Sequence, residues 1–225
     1  ASDRWLAEDL GLTLYTPRRA LPDAEDPHCD VESLKQAVLP AVFGELTLDN
    51  RQGTKPRRAF FGLGANPSDP RMRELYGPLS DGLAGFALGR EMMVCGRADD
   101  WESRQYFSIW DIGGRQGAAY GHCGLGSTGL IQFTVGPGQC ETRRFVLVFY
   151  KEGPVTTGME GRYFYTRFFD RIESAGLFAL ESASGAIAVA SQQDQELNEA
   201  NLTGDQQWML SQAVHSYYGS TEFLD

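Results

Sequence analysis

The sequence predicts a mainly β fold that turns α towards its end, an antiparallel β-sandwich followed by helices. Three observations predict it. Short segments of alternating apolar and polar residues recur over the first two thirds, separated by turns rich in Gly and Pro. The segment RRFVLVFYK (143–151) is apolar on both faces, as a central strand covered on two sides would be. After Gly153-Pro154 the apolar spacing changes from a strand period to a helix period and stays there.

Taken in order, GLTLYT (11–16) is a short strand ended by Pro17, and the acidic, Pro-bearing ALPDAEDPHCDVE after it is a surface loop. AVFGELTLDN (41–50) alternates, with Val42, Leu46 and Leu48 on one side and Glu45, Thr47 and Asp49 on the other. Asn50-Arg51-Gln52-Gly53 signals a turn, which makes RRAFFGLG (57–64) the expected hairpin partner. Residues 65–85, with Pro67, Pro70 and Pro78, read as loop, and FALGREMMVCG, YFSIWDI and GLIQFTVG as further strands.

The helical part opens with an unusual segment, RYFYTRFFDRIESAGLFAL (162–180), which carries six large aromatics. At about 100° per residue, a helix from Glu160 to about Leu180 places Phe164, Tyr165, Phe168, Phe169, Ile172, Ala175, Ala179 and Leu180 on one arc of roughly 160°. Arg167, Asp170, Arg171, Glu173 and Ser174 lie opposite, where Tyr163, Leu177 and Phe178 interrupt them. So broad an apolar face fits a helix wedged between two domains. A helix of smaller residues over 182–199 follows or continues it. Thr203 with Gln206 three residues on forms a capping box for a last helix, with Trp208, Leu210, Val214 and Tyr217 on its apolar side and Gly219 at its end. Six residues then remain, too few to pack a helical domain around Trp208, Tyr217 and Tyr218, so further chain is expected to follow. The first residue is Ala, in keeping with a processed or incomplete piece.

Charge narrows the function. The chain of 225 residues has a net charge of −10, and its basic pairs Arg18-Arg19, Arg57-Arg58 and Arg143-Arg144 are scattered, so a nucleic-acid partner is not expected. No apolar run approaches the ~20 residues of a membrane span, and no secretory pattern opens the chain. Cys29, Cys95, Cys123 and Cys140 are far apart and form no CxxC, which reads as reduced thiols and a cytoplasmic protein.

Three blocks carry a family resemblance: LPAVFGELTLDNRQGTKPRRAFFG, TTGMEGRYFYTRFFDRIESAGLFAL and HSYYGSTEFL. Together they resemble glycoside hydrolase family 52, the β-xylosidases, in order from about Trp5 to the last residue and more loosely between about 65 and 140. The resemblance implies an N-terminal β-sandwich (1–155, incomplete at its start), linker helices (156–200) and the beginning of a C-terminal (α/α)6 barrel (201–225). It implies a retaining, exo-acting hydrolase of short xylo-oligosaccharides with no metal or organic cofactor, and a dimer. It also implies that the catalytic pair lies outside these residues. The family nucleophile is a Glu in an Asn-Glu-Gly motif shortly past the segment matching HSYYGSTEFL, and the general acid is an Asp deeper in the barrel.

The residues agree with that absence. Retaining hydrolysis needs two carboxyl groups about 5–5.5 Å apart. Asn198-Glu199-Ala200 lacks the Gly of the motif, so Glu199 reads as a solvated linker residue, and Glu222 and Asp225 do not fall on the motif. Tyr217, Tyr218 and Thr221 are the candidates for a sugar contact, because a Tyr offers a ring face to a pyranose and a hydroxyl to its oxygens. The competing reading packs both tyrosines, like Trp208, into a barrel wall. His28-Cys29 and His122-Cys123 fit no zinc spacing, Gly121 to Gly129 precedes no helix with a Lys, and Asn201-Leu202-Thr203 is a formal glycosylation sequon that serves here as a helix cap. Two other functions remain open at this point: a non-catalytic sandwich module that binds carbohydrate or scaffolds a partner, and a sister β-glucosidase of the same architecture.

Overall fold

The computed structural model describes residues 1–225 except 67, 68, 70, 76–79, 109, 110, 113–125, 157–159, 220–223 and 225. The chain opens with a hairpin of β1 (Ser2–Ala7) and β2 (Leu10–Tyr15), turned tightly with Glu8 at φ 51°. A helix, α1 (Val31–Val38), follows; the carboxylate of Asp30 caps it by accepting from the Ser33 amide at 3.1 Å and the Ser33 hydroxyl at 2.6 Å. This helix takes in Val31 and Glu32, the end of the stretch read as a surface loop, and the sequence reading missed it. The strands then run β3 (Ala41–Asp49), β4 (Arg57–Gly64), β5 (Met72–Leu75), β6 (Leu83–Leu88), β7 (Met92–Arg97), β8 (Glu102–Tyr106), β9 (Thr128–Val135) and β10 (Cys140–Phe149).

They form two antiparallel sheets, one of order β1-β2-β3-β10-β7-β6-β5 and one of order β4-β9-β8. Because side chains alternate across a strand, the inner strands of the large sheet serve two cores. Leu46, Leu48, Phe86, Val94, Phe145 and Leu147 point between the sheets, where they meet Ala59, Trp101, Ile131 and Phe133. Phe43, Met93, Cys95, Val146 and Val148 point to the opposite face, which a helix covers. β10 is therefore the central, doubly covered strand that its two-sided apolar sequence demands.

The expected hairpin of residues 41–50 with 57–64 does not form. β3 lies in the large sheet between β2 and β10, while β4 crosses to the small sheet and pairs with β9. The turn between them, residues 50–56, is the reason. Asn50 is buried, and its side-chain amide donates to the carbonyls of Lys55 (3.0 Å), Val135 (3.1 Å) and Gly136 (3.0 Å). One side chain thus ties the β3–β4 crossing to the β9–β10 crossing. A Cβ at Gly53 would stand 1.8 Å from Asn50 Oδ1, so only Gly lets the chain wrap that amide. Two further strand readings shift: FALGREMMVCG is the end of β6, a turn and most of β7, and among the described residues of YFSIWDI only Tyr106 lies in a strand.

The helix read from Glu160 is also corrected. Val155–Thr156 (β11) pairs with Glu160–Gly161 (β12), and Phe164–Arg167 is a 3-10 turn. The α-helix, α2, is a single run from Ile172 to Glu199, preceded by Arg171 in extended conformation. The five aromatics crowded into residues 163–169 pack better one by one around a tight turn than in register on a helix. The buried side of α2 is instead small: Ile172, Ala175, Gly176, Ala179, Ala183, Ala186 and Ala190. Their spacing of three and four keeps them on one face, and their size lets the helix sit close on the large sheet. By length and composition α2 could cross a bilayer, but this face is packed on protein. Glu173, near its start, reaches Arg73 of β5 at 2.6 Å. The result is three layers: small sheet, large sheet and helix.

Candidate functional site

The chain leaves α2 at Glu199, which is exposed and accepts from the Gln195 amide at 2.7 Å, as a solvated linker residue should. The last helix, α3 (Gly204–Gly219), starts at the expected capping box. The Thr203 hydroxyl accepts from the Gln206 amide N–H at 3.3 Å, and the Gln206 side chain accepts from Thr203 N–H at 2.9 Å. Gln207 donates to the Leu197 carbonyl at 3.1 Å and fixes the corner between the two helices. Trp208, expected in a core, is 66% exposed, and Met209 beside it 63%, because no part of the described chain covers that face.

Tyr217 and Tyr218 fall on the last turn of α3; their side chains, like Thr221 as a whole, lie outside the described residues, as do Glu222, Asp225, His122 and Cys123. The chain is next described at Leu224, where it has returned to the sandwich side and pairs antiparallel with Tyr163. The aromatic segment therefore ends up next to Leu224, the last residue of HSYYGSTEFL. Tyr163 stacks on Tyr165, with centroids 5.3 Å apart and planes 9° apart, and Tyr165 packs on Tyr150 at 5.4 Å. The Tyr165 hydroxyl accepts from the Lys151 amide at 2.8 Å, and the buried Tyr150 donates to the Phe169 carbonyl at 2.7 Å. Burial raises the Tyr150 pKa, so its hydroxyl stays a neutral donor through the physiological range. The sequence reading noticed the aromatics but not this ladder; its signal was the recurrence of Tyr at 150, 163 and 165, which becomes a stack only once residues 163–167 turn rather than coil.

Several of the described carboxylates are committed to structure. Glu45 accepts from the Tyr15 hydroxyl at 2.9 Å and from Arg144 at 2.9 Å, and Glu74 accepts from the Ser103 hydroxyl at 2.5 Å. An open cleft of about 540 Å³ at the end of the sandwich is lined by Glu8, Asp9, Asp49, Arg51 and Arg57. There Asp9 is paired with Arg57 and Asp49 with Arg51. The hydrogen bonds from Arg51 hold the Asp49 pKa down at about 2. A carboxyl that stays ionised to so low a pH cannot protonate a leaving oxygen at neutral pH. The pair Arg143-Arg144 is engaged in the same way, with Arg143 on Asp100 and Glu141 and Arg144 on Glu45, so it does not present a free cationic patch. Among the described residues no three His, Cys, Asp or Glu side chains come together as a metal site would need, and Cys29, Cys95 and Cys140 are free thiols.

A sandwich that hands its chain through an aromatic junction to a sheet-packed helix and then an exposed one belongs, by comparison, among the glycoside hydrolases. The match is to a particular family: the glycosyl hydrolase family 52 model covers residues 1–225, and the chain belongs to that family. Two relatives from Geobacillus stearothermophilus, each named beta-xylosidase, align with all of it. One is 38% identical over 225 residues, which is 32% of that relative, and the other 33% identical over 226 residues, 36% of that relative. The chain thus spans about a third of the length of the relatives it matches.

Proposed function

We propose that this chain is part of a retaining, exo-acting β-xylosidase that releases xylose from short xylo-oligosaccharides without a metal or organic cofactor. The observation that carries the reading is the family match along the whole chain, together with two relatives named beta-xylosidase. In this reading residues 1–155 are the sandwich domain, 156–200 the link and 201–225 the opening of an (α/α)6 barrel, whose remainder covers Trp208 and Met209. The whole protein is cytoplasmic and a homodimer, and Tyr217, Tyr218 and Thr221 approach the sugar from the end of α3. The catalytic carboxyl groups follow in the barrel. Consistent with that, Asp9 and Asp49 of the cleft described above are held by arginines.

The 225-residue chain alone is then expected to be inactive. The test is to assay it and the whole protein side by side on an aryl β-xyloside, following the anomer released. Release of the β-anomer by the whole protein and none by the chain supports the reading. Hydrolysis by the chain alone would falsify the assignment of the catalytic groups, and preference of the whole protein for an aryl β-glucoside would replace the xylosidase with the sister glucosidase.

A further inference from the structure

The last helix, α3, is tied to α2 at its start and borders the sandwich along its length. At its start, Gln207 is bonded to Leu197 of α2. Along its length it stands off the sandwich across an open cleft of about 490 Å³ lined by Trp5, Arg18, Ser211 and Gln212. Past its end, the chain is caught again by the pairing of Leu224 with Tyr163. Among the described residues, the point at which the chain beyond α3 rejoins the sandwich is the pairing with Tyr163.

That residue is held from several sides. The Tyr163 carbonyl accepts from the Thr166 amide at 3.0 Å and from the Thr166 hydroxyl at 2.8 Å. Its ring lies parallel on Tyr165. Tyr165 is in turn fixed to Lys151, just beyond the central strand β10, and to the ring of the buried Tyr150. Hydrogen bonds and ring contacts thus run without a break from the middle of the large sheet to the backbone at Leu224.

We infer that Tyr163 is a positioning residue: it docks the chain that runs on from α3 to the sandwich, so that the sandwich helps to align the active site as well as carrying it. The inference rests on the β-xylosidase reading, in which the nucleophile follows this segment. Misplacing a reacting group by about 1 Å can cost ~100-fold in rate, while binding of a sugar by other contacts is spared.

The test uses the whole protein with Tyr163→Ala and Tyr163→Phe, each normalised by titrating active sites with a covalently trapped fluoroxyloside. Tyr163→Ala is expected to lose ~10- to 100-fold in kcat with KM changed less than ~3-fold, and Tyr163→Phe, which keeps the stack, to retain at least about half of kcat. Amide exchange at Leu224 is expected to quicken in the Ala variant whatever the activity. A Tyr163→Ala enzyme with wild-type kcat and unchanged protection at Leu224 overturns the inference. A variant that only melts earlier, with normal kcat per titrated site, does the same by reducing Tyr163 to a stability role. A wild-type protein with no activity on the xyloside sinks the underlying reading instead, and is told apart from the other outcomes because it needs no variant.

Discussion

Gly44 on β3 lies directly opposite Phe145 on β10, and a Cβ there would come within 2.4 Å of the Phe145 ring. The ring fills the space of the missing side chain, and it also packs on Phe61 at 4.6 Å and edge-on to Trp101 at 5.9 Å, so it has nowhere to retreat. Gly44→Ala should therefore cost about 1–3 kcal/mol by overpacking, read as a lower urea midpoint. Gly185, on the exposed side of α2 with nothing within 4 Å of its added Cβ, supplies the control. Gly185→Ala should leave stability unchanged or raise it by up to about 1 kcal/mol through helix propensity. Equal loss at both positions would show that glycine content, not the ring contact, is what matters. The abundance of Gly was plain in the sequence. Its reason was not, because the partner of Gly44 lies about a hundred residues away, in a register that one strand cannot specify. Asn50 teaches the same lesson: Asn and Gly at 50 and 53 spell a turn, but the three carbonyls that Asn50 joins come from two separate crossings.

At the scale of elements, local chemistry was legible and apolar period was less so. The Thr203/Gln206 box stands as its residues imply, since both partners of a cap lie within one turn. Thr203→Ala should remove about 1 kcal/mol from the first turn of α3. Because that helix packs little, the expected signature is faster amide exchange at Asp205 and Gln206 with the main unfolding transition unmoved. A shift of the whole transition would instead make α3 part of the cooperative core. The same kind of signal was present and unread at Asp30, where the bond from Ser33 lowers the carboxyl pKa and starts α1. By contrast, the helical wheel drawn through residues 160–180 found an apolar arc that is real only from Ile172 onward. Aromatic residues at three- and four-residue spacing match a wheel whether or not the backbone coils. Here Arg171, extended before Ile172, breaks the phase. Ser174 accepts from its amide at 3.4 Å and donates to Asp170 at 2.8 Å, the local stop-and-start signal that outweighed the period.

Across the whole molecule, the order of β then α and the two-sided burial of β10 could be read from the sequence, whereas the sheet order could not, because the crossing after Asp49 depends on contacts made by Val135 and Gly136. The same scale holds a conflict between two forces. Leu202, Trp208, Met209 and Leu210 are 39%, 66%, 63% and 46% exposed and lie along one short stretch of chain, a patch that favours association. The net charge of −10 opposes it. The attraction is short-ranged and insensitive to ions, while the repulsion acts over about a Debye length, about 10 Å at 0.1 M salt and about 3 Å at 1 M. Salt should therefore remove the opposing force and leave the apolar one. For the 225-residue chain, sedimentation velocity is expected to show a mean sedimentation coefficient that rises with protein concentration and rises further between low and high salt. Trp208→Ser combined with Leu210→Ser should bring the coefficient back to that of a monomer in both conditions, with the β-sheet circular dichroism unaltered. Association that survives the double variant would move its origin to the other exposed apolar residues, Trp5 and Leu6 on the edge strand β1, where pairing through backbone groups would be indifferent to the side chains of α3.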